Sequence, residues 1–154
     1  MPLMTETYGW PQVLADAPAS GKVLVVEDED PVREGLEKLL VRYGHTVRTA
    51  ASAEEADAWL DDAGISFDVI LLDIELPRMK GVEFLQWIMD RSPEVAVIML
   101  TGLDDPKVAV RCLEEGARTY LVKPVDPDFL RLALRDALAL RRLLRERNEA
   151  RGRA

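Results

Sequence analysis

Three acids, a hydroxyl and an amine stand at the ends of apolar runs in this chain. Glu27 and Asp28 follow K-V-L-V-V (22–26), Asp73 closes V-I-L-L (69–72), Thr101 follows V-A-V-I-M-L (95–100) and Lys123 follows T-Y-L-V (119–122). Carboxylates held close together repel, and each raises the pKa of the others unless a cation sits among them. Hard oxygen donors with room for water suit Mg²⁺, which takes one or two carboxylates, waters and a phosphate oxygen. A carboxylate is also a nucleophile toward phosphorus and can form an aspartyl phosphate. Phosphoryl transfer asks mainly for positioning and charge neutralisation. The metal would serve one phosphoryl oxygen, Lys123 a second, and the Thr101 hydroxyl with nearby backbone N–H a third. Gly102 leaves space for the group to enter. These residue types are sufficient for a phospho-aspartate switch, provided that something gathers them.

What could gather them is a set of parallel strands. The run 69–72 is unbroken and apolar, as expected of a strand buried on both faces. Helical patterns separate the runs. Asp30 is placed as an N-cap with Pro31 at the first helical position, and Val32, Leu36, Leu39, Leu40 and Tyr43 form an apolar face that Gly44 ends. His45 to Thr49 alternates like a strand, and Ser52 with Glu55 reads as a capping box for a helix carrying Ala56, Trp59 and Leu60. Val82, Leu85, Trp87, Ile88 and Met89 predict a helix that stops at Ser92-Pro93. Asp105-Pro106 and Asp126-Pro127 repeat the cap-and-proline start, the first helix running to Gly116 and the second long, with few breakers before Gly152. Five strands alternating with five helices predict an α/β fold with a parallel sheet covered on both faces. In such sheets ligands bind outside the carboxyl ends of the strands, where all the reactive groups would lie.

The motifs V-L-V-V-E-D, L-L-D with Pro77 four and Gly81 eight residues after Asp73, M-L-T-G, and Y-L-V-K-P follow one another in order. Over roughly 22–144 the chain resembles the receiver domain of two-component response regulators. The resemblance implies a flavodoxin-like, doubly wound five-stranded sheet of order 2-1-3-4-5. It makes Asp73 the phosphoacceptor and Asp28 the main Mg²⁺ ligand, with Glu27 assisting directly or through water and the backbone carbonyl of Glu75 as a further ligand. Lys123 would pair with the phosphoryl group, next to a cis Lys123-Pro124 bond. Thr101 and Tyr120 would be the switch pair. A histidine kinase or histidine phosphotransfer protein would be the donor. The surface from helix four through strand five to helix five, with Lys107, Val110, Arg111, Arg118 and Tyr120, would change on phosphorylation and could support a homodimer. Glu75 and Leu103 would flank the approach of hydrolytic water, and bulky Leu103 is expected to prolong the phosphoryl lifetime.

With 154 residues the chain fits one domain, and a net charge of -8 argues against general polyanion binding, so direct nucleic acid contact is not expected. One cysteine excludes an internal disulfide and fits a reducing compartment. No apolar run approaches the ~20 residues of a membrane span, and the N-terminus lacks a signal-peptide pattern, so no membrane association and a cytoplasmic location are expected. Residues 1–20 read as a flexible extension, 21–144 as the domain, and 145–154 as a basic tail or the start of a linker. Leu130, Leu134, Ala137, Arg141 and Leu144 fall near heptad spacing, which favours an extension into a coiled coil or toward a downstream domain over a helix that simply lies on the sheet. The output is then either a stand-alone receiver acting on a protein partner or the N-terminal part of a larger regulator with a C-terminal effector domain.

A rival reading takes D-E-D-P-V (28–32) as the opening of a haloacid-dehalogenase-type phosphatase with Asp28 as nucleophile. That family needs another acidic pair beyond its lysine, whereas P-V-D-P-D (124–128) leads straight into a helix. A nucleotide-binding domain would need a glycine-rich phosphate loop that is missing here. His45 reads as a surface residue and Cys112 as packing or surface.

Overall fold

The computed structural model describes residues 20–62, 64–102 and 106–153. Strands and helices alternate strictly: β1 (Lys22–Val26), α1 (Asp30–Arg42), β2 (Thr46–Ala50), α2 (Ala53–Leu60), β3 (Val69–Asp73), α3 (Gly81–Arg91), β4 (Ala96–Thr101), α4 (Pro106–Glu114), β5 (Thr119–Val122) and α5 (Pro127–Arg153). The sheet has the order β2-β1-β3-β4-β5, and every pairing is parallel. This is the flavodoxin-like doubly wound arrangement, whose winding reverses between β1 and β3.

Side-chain alternation along the strands divides the core in two. Val23, Val25, Val69, Leu71, Ile98 and Leu100 face α1 and α5, meeting Leu36, Leu40, Leu130 and Leu134. Leu24, Val26, Ile70, Leu72, Val97 and Met99 face α2, α3 and α4, meeting Ala56, Phe84, Leu85, Ile88 and Cys112. Each fully buried Val, Leu, Ile or Phe contributes roughly 1.5–3 kcal/mol by leaving water. Both faces being covered is why β1, β3 and β4 carry no polar alternation and admit polar residues only at their ends, whereas the edge strand β2 alternates exposed and buried positions.

Several local expectations hold. Ser52 Oγ accepts the Glu55 N–H at 3.2 Å, and the Glu55 carboxylate accepts the N–H of Ala51, one residue earlier than an ideal capping box. Asp126 Oδ1 accepts from the N–H of Asp128 at 2.8 Å and of Phe129 at 3.4 Å, starting α5. Cys112 is fully buried. Three expectations change. Asp30 is not the N-cap of α1: Glu29 holds that position without a side-chain bond, and the Asp30 carboxylate pairs with Arg33 at 2.5 Å. β2 and β4 start one residue later than the apolar pattern implied, because pairing with β1 and β3 sets their register. His45 is half-buried, and its Nδ1 accepts the Gly21 N–H at 3.1 Å, which ties the start of β1 to the start of β2. The expectation at Asp105 lies outside the described residues, as does the extension over 1–19.

The last helix is long, 27 residues, and crosses position 145 without interruption. The first part of its near-heptad stripe lies on the sheet. Leu130, Leu134 and Ala137 are buried against the sheet. Arg141 Nη1 donates to the Glu94 carbonyl at 3.0 Å, and Arg145 Nη2 meets Asp68 Oδ1 at 2.5 Å. Asp68 also accepts the Lys22 N–H at 2.9 Å. One carboxylate at the foot of β3 therefore pins both the first strand and the outer turns of α5. No helix among the described residues is long and apolar enough to cross a membrane.

Candidate functional site

The five reactive groups arrive from the carboxyl ends of four strands. Glu27 and Asp28 leave β1, Asp73 ends β3, Thr101 ends β4 and Lys123 follows β5. Backbone bonds fix these ends relative to one another. The Ile74 N–H donates to the Leu100 carbonyl at 2.9 Å, the Lys123 N–H to the Thr101 carbonyl at 2.7 Å, and the Glu27 N–H to the Ala50 carbonyl at 3.0 Å. Lys123-Pro124 is a cis peptide.

The side chains converge. Glu27, Asp28 and Asp73 each offer a carboxylate oxygen, and these oxygens lie within 4.8 Å of one another. Glu27 and Asp73 are buried, while Asp28 keeps contact with solvent. Lys123 Nζ bridges the two buried acids: it pairs closely with Glu27 and stands 3.1 Å from Asp73 Oδ2. Glu29 is a more distant partner at 4.0 Å. Asp73 Oδ1 accepts the Glu75 N–H at 2.9 Å, so one oxygen is held by backbone and the other faces the amine. Thr101 is buried beside this group, one position beyond the Asp73↔Leu100 pair.

Burial is the chief cause that raises the Glu27 carboxyl to about pH 7, and nearby Asp73 adds to it, while Lys123 and the Glu29 N–H pull the other way. Burial alone would lower the Lys123 amine, but its bonds to Glu27 and Asp73 outweigh that and hold it above its usual value. A carboxyl with a raised pKa binds more protons folded than unfolded, so stability falls as pH rises through the gap. Glu27 therefore costs the metal-free protein stability between about pH 4.5 and about pH 7, the reverse of a typical salt-bridged carboxylate. The expected result is a loss of up to about 3 kcal/mol across that window, removed in Glu27→Gln, as urea unfolding at a series of pH values would measure. A set of three hard oxygen donors, two of them buried with only one amine between them, fits a divalent cation.

The expected residues are thus largely brought together. Glu75 is exposed and holds Asp73 through its backbone; a Cβ added at Gly102 would lie 3.8 Å from its carboxylate, with nothing closer among the described residues, so the mouth of the site is open there. Tyr120 is half-buried, paired in register with Met99, and packs on the α2–α3–α4 side of the core. Leu103 lies outside the described residues. Two residues escaped the sequence reading. Glu29 comes within reach of Lys123, and the Arg33 guanidinium bonds the carbonyls of Glu27 and Asp28. The available signal for the second was an Arg three residues after Asp30 on the first turn of a helix.

A parallel sheet of order 2-1-3-4-5 with an acid, hydroxyl and lysine rim defines a receiver-type α/β domain. The family model described as the response regulator receiver domain matches residues 23–135, and the chain belongs to that family. Among similar proteins, the response regulator protein PilR of Pseudomonas aeruginosa is 38% identical over 120 residues, covering 78% of this chain and 26% of PilR. A cyclic di-GMP phosphodiesterase of Thermotoga maritima is 35% identical over 116 residues, 75% of this chain and 30% of that protein. A solved response regulator receiver domain from Clostridium thermocellum superposes with a TM-score of 0.76 at 35% identity, covering 80% of this chain and 98% of the other. The chain therefore spans about a third or less of these two longer relatives and nearly the whole of the solved receiver. The haloacid-dehalogenase alternative is not supported by this match or by these relatives.

Proposed function

We propose that the protein is a phospho-acceptor switch in which Asp73 takes a phosphoryl group from a histidine kinase or histidine phosphotransfer protein, with Mg²⁺ as cofactor. The observation that carries this reading is the Lys123 amine held between Glu27 and Asp73 at the sheet rim. Asp73 Oδ2, the oxygen that faces Lys123, forms the O–P bond as the donor's N–P bond breaks, and the donor imidazole recovers its electron pair. The Glu75 N–H keeps the carboxylate from rotating during the attack. Lys123 exchanges Asp73 Oδ2 for a phosphoryl oxygen, and the Thr101 hydroxyl donates to another. Glu27, Asp28, Asp73 and the Glu75 carbonyl would hold Mg²⁺, which supplies neutralisation of the phosphoryl charge. The protein catalyses only its own phosphorylation and dephosphorylation.

The movement of Thr101 frees the space into which the half-buried Tyr120 turns, and the change reaches the α4–β5–α5 surface. That surface carries exposed Val110, Leu113 and Val122, and it would engage a second copy, a downstream protein or an effector domain beyond α5. The relatives that extend well past the matched region make the last of these a natural output. We place the protein in the cytoplasm, where such kinases deliver phosphoryl groups.

Treatment with acetyl phosphate and Mg²⁺ should add one phosphoryl group, seen by intact-mass spectrometry. Chelating the metal should remove nearly all of the adduct. No adduct under metal-replete conditions would overturn the proposal.

A further inference from the structure

Arg33 is a half-buried guanidinium that touches none of the reacting groups. Its side chain is 18% exposed. Nη1 donates to the Glu27 carbonyl at 3.0 Å and, more weakly, to the Asp28 carbonyl at 3.4 Å. Nη2 donates to Asp30 Oδ1 at 2.5 Å. One rigid fork thus ties two residues of the loop between β1 and α1, both of which present carboxylates to the candidate cation site, to the first residue of α1.

The loop needs such a brace. Three carboxylates share a small volume, and repulsion acts on the member that is free to leave. Glu27 is fully buried and Asp73 nearly so, but Asp28 has solvent on one side. The N-cap of α1, Glu29, makes no side-chain capping bond. Bonds to the carbonyls of Glu27 and Asp28 fix the peptide planes from which both side chains project. The Asp30 carboxylate in turn fixes the guanidinium.

We propose that Arg33 is a positioning residue for the cation site, holding the backbone at Glu27 and Asp28 so that both carboxylates point toward Asp73 before the metal arrives. The inference rests on the functional reading above and adds to it a residue outside the set that touches metal or phosphoryl group. Geometry and charge make opposite demands, which makes the idea testable. As a nearby cation, Arg33 repels Mg²⁺; as a brace, it favours Mg²⁺ binding. Lys keeps the charge but cannot reproduce the planar fork.

The experiment is Mg²⁺ titration calorimetry on the unphosphorylated protein, comparing wild type with Arg33→Lys, Arg33→Ala and Asp30→Ala. The last removes only the anchor of the fork, at a carboxylate that is 73% exposed, and should fold normally. Loss of such supporting contacts typically costs about tenfold or more in metal affinity. Both Arg33 variants should therefore bind Mg²⁺ about tenfold more weakly, with Asp30→Ala between them and wild type. The Mg²⁺ concentration for half-maximal acetyl phosphate labelling should rise in parallel, while the rate at saturating Mg²⁺ stays near that of wild type. Unchanged affinity in all three variants would overturn the inference. So would tighter binding in Arg33→Ala with no change in Arg33→Lys, since charge alone would then be acting. A wild type that binds no Mg²⁺ would instead fail the functional reading, and the brace with it. Binding by wild type that disappears in Asp28→Asn would uphold that reading whatever the Arg33 variants do.

Discussion

Asp73→Asn will accept no phosphoryl group from acetyl phosphate and Mg²⁺, while folding as stably as the wild type or more so. The amide has nearly the shape of the carboxylate, and its oxygen can still accept the Glu75 N–H that Asp73 Oδ1 accepts at 2.9 Å. What disappears is the anionic nucleophile. The buried charge disappears with it. Asp73 is one of the causes that raise the Glu27 carboxyl, so its neutralisation relieves part of that cost. Intact-mass spectrometry should show complete loss of the adduct, and thermal unfolding at pH 8 in metal-free buffer should show an equal or higher midpoint. Asp28→Asn separates this mechanism from a phosphatase-type one. It should retain labelling but require more Mg²⁺, because the nucleophile is intact and only a ligand is lost. Labelling that survives in Asp73→Asn and vanishes in Asp28→Asn would assign the nucleophile to Asp28 instead.

The second large effect is on folding. A Cβ at Gly81 would stand 2.2 Å from the Asp73 carbonyl oxygen and 2.7 Å from the Ile74 Cα, both main-chain atoms that cannot swing aside. The Gly81 N–H also donates to the Ile74 carbonyl at 3.0 Å, so α3 starts pressed against the end of β3. Gly81→Ala gains about 1 kcal/mol of helix propensity but forces strand and helix apart. A net loss of about 3 kcal/mol is expected, read as a lower urea midpoint with an unchanged slope. Labelling of Asp73 should slow as well, since the displaced atoms belong to the acceptor residue itself. Gly35→Ala is the matched control. A Cβ there meets nothing within 4 Å on the exposed side of α1, so the same substitution should stabilise by about 0.5–1 kcal/mol.

The fold was legible in the sequence because its three central strands are buried on both faces. Runs such as 69–72 and 97–100 admit polar residues only where they leave the core, so a residue type at a strand end announced the rim. That is how Glu27, Asp73, Thr101 and Lys123 could be read together without coordinates. What the sequence concealed depends on neighbours brought by folding. It placed Asp30 as a helix cap, but the carboxylate found a stronger partner in Arg33. It ranked Asp28 above Glu27 as a metal ligand but gave no sign that Glu27 is sealed under Lys123 while Asp28 stays wet. The leucine spacing of α5 fitted a coiled-coil seam and a sheet-facing stripe equally well, because both repeat near 3.5 residues. In the fold, Leu130, Leu134 and Ala137 take the sheet-facing role. Nothing local tied Asp68 to arginines more than seventy positions away.

That anchorage at Asp68 gives the last helix a mechanical character. A helix of 27 residues is about 40 Å long, and its azimuth is locked where Arg141 and Arg145 grip the foot of the sheet. It behaves as a keyed shaft, running from the acid-rich rim of the sheet to the opposite pole of the domain. Anything that grasps its outer end feels the rotational phase of the whole body. One residue inserted after Arg145 would turn that grip by about 100° and shift it by about 1.5 Å, whereas seven would nearly restore the original bearing. A partner bound at that outer end would be sensitive to spacing along the shaft as well as to the chemistry of its surface.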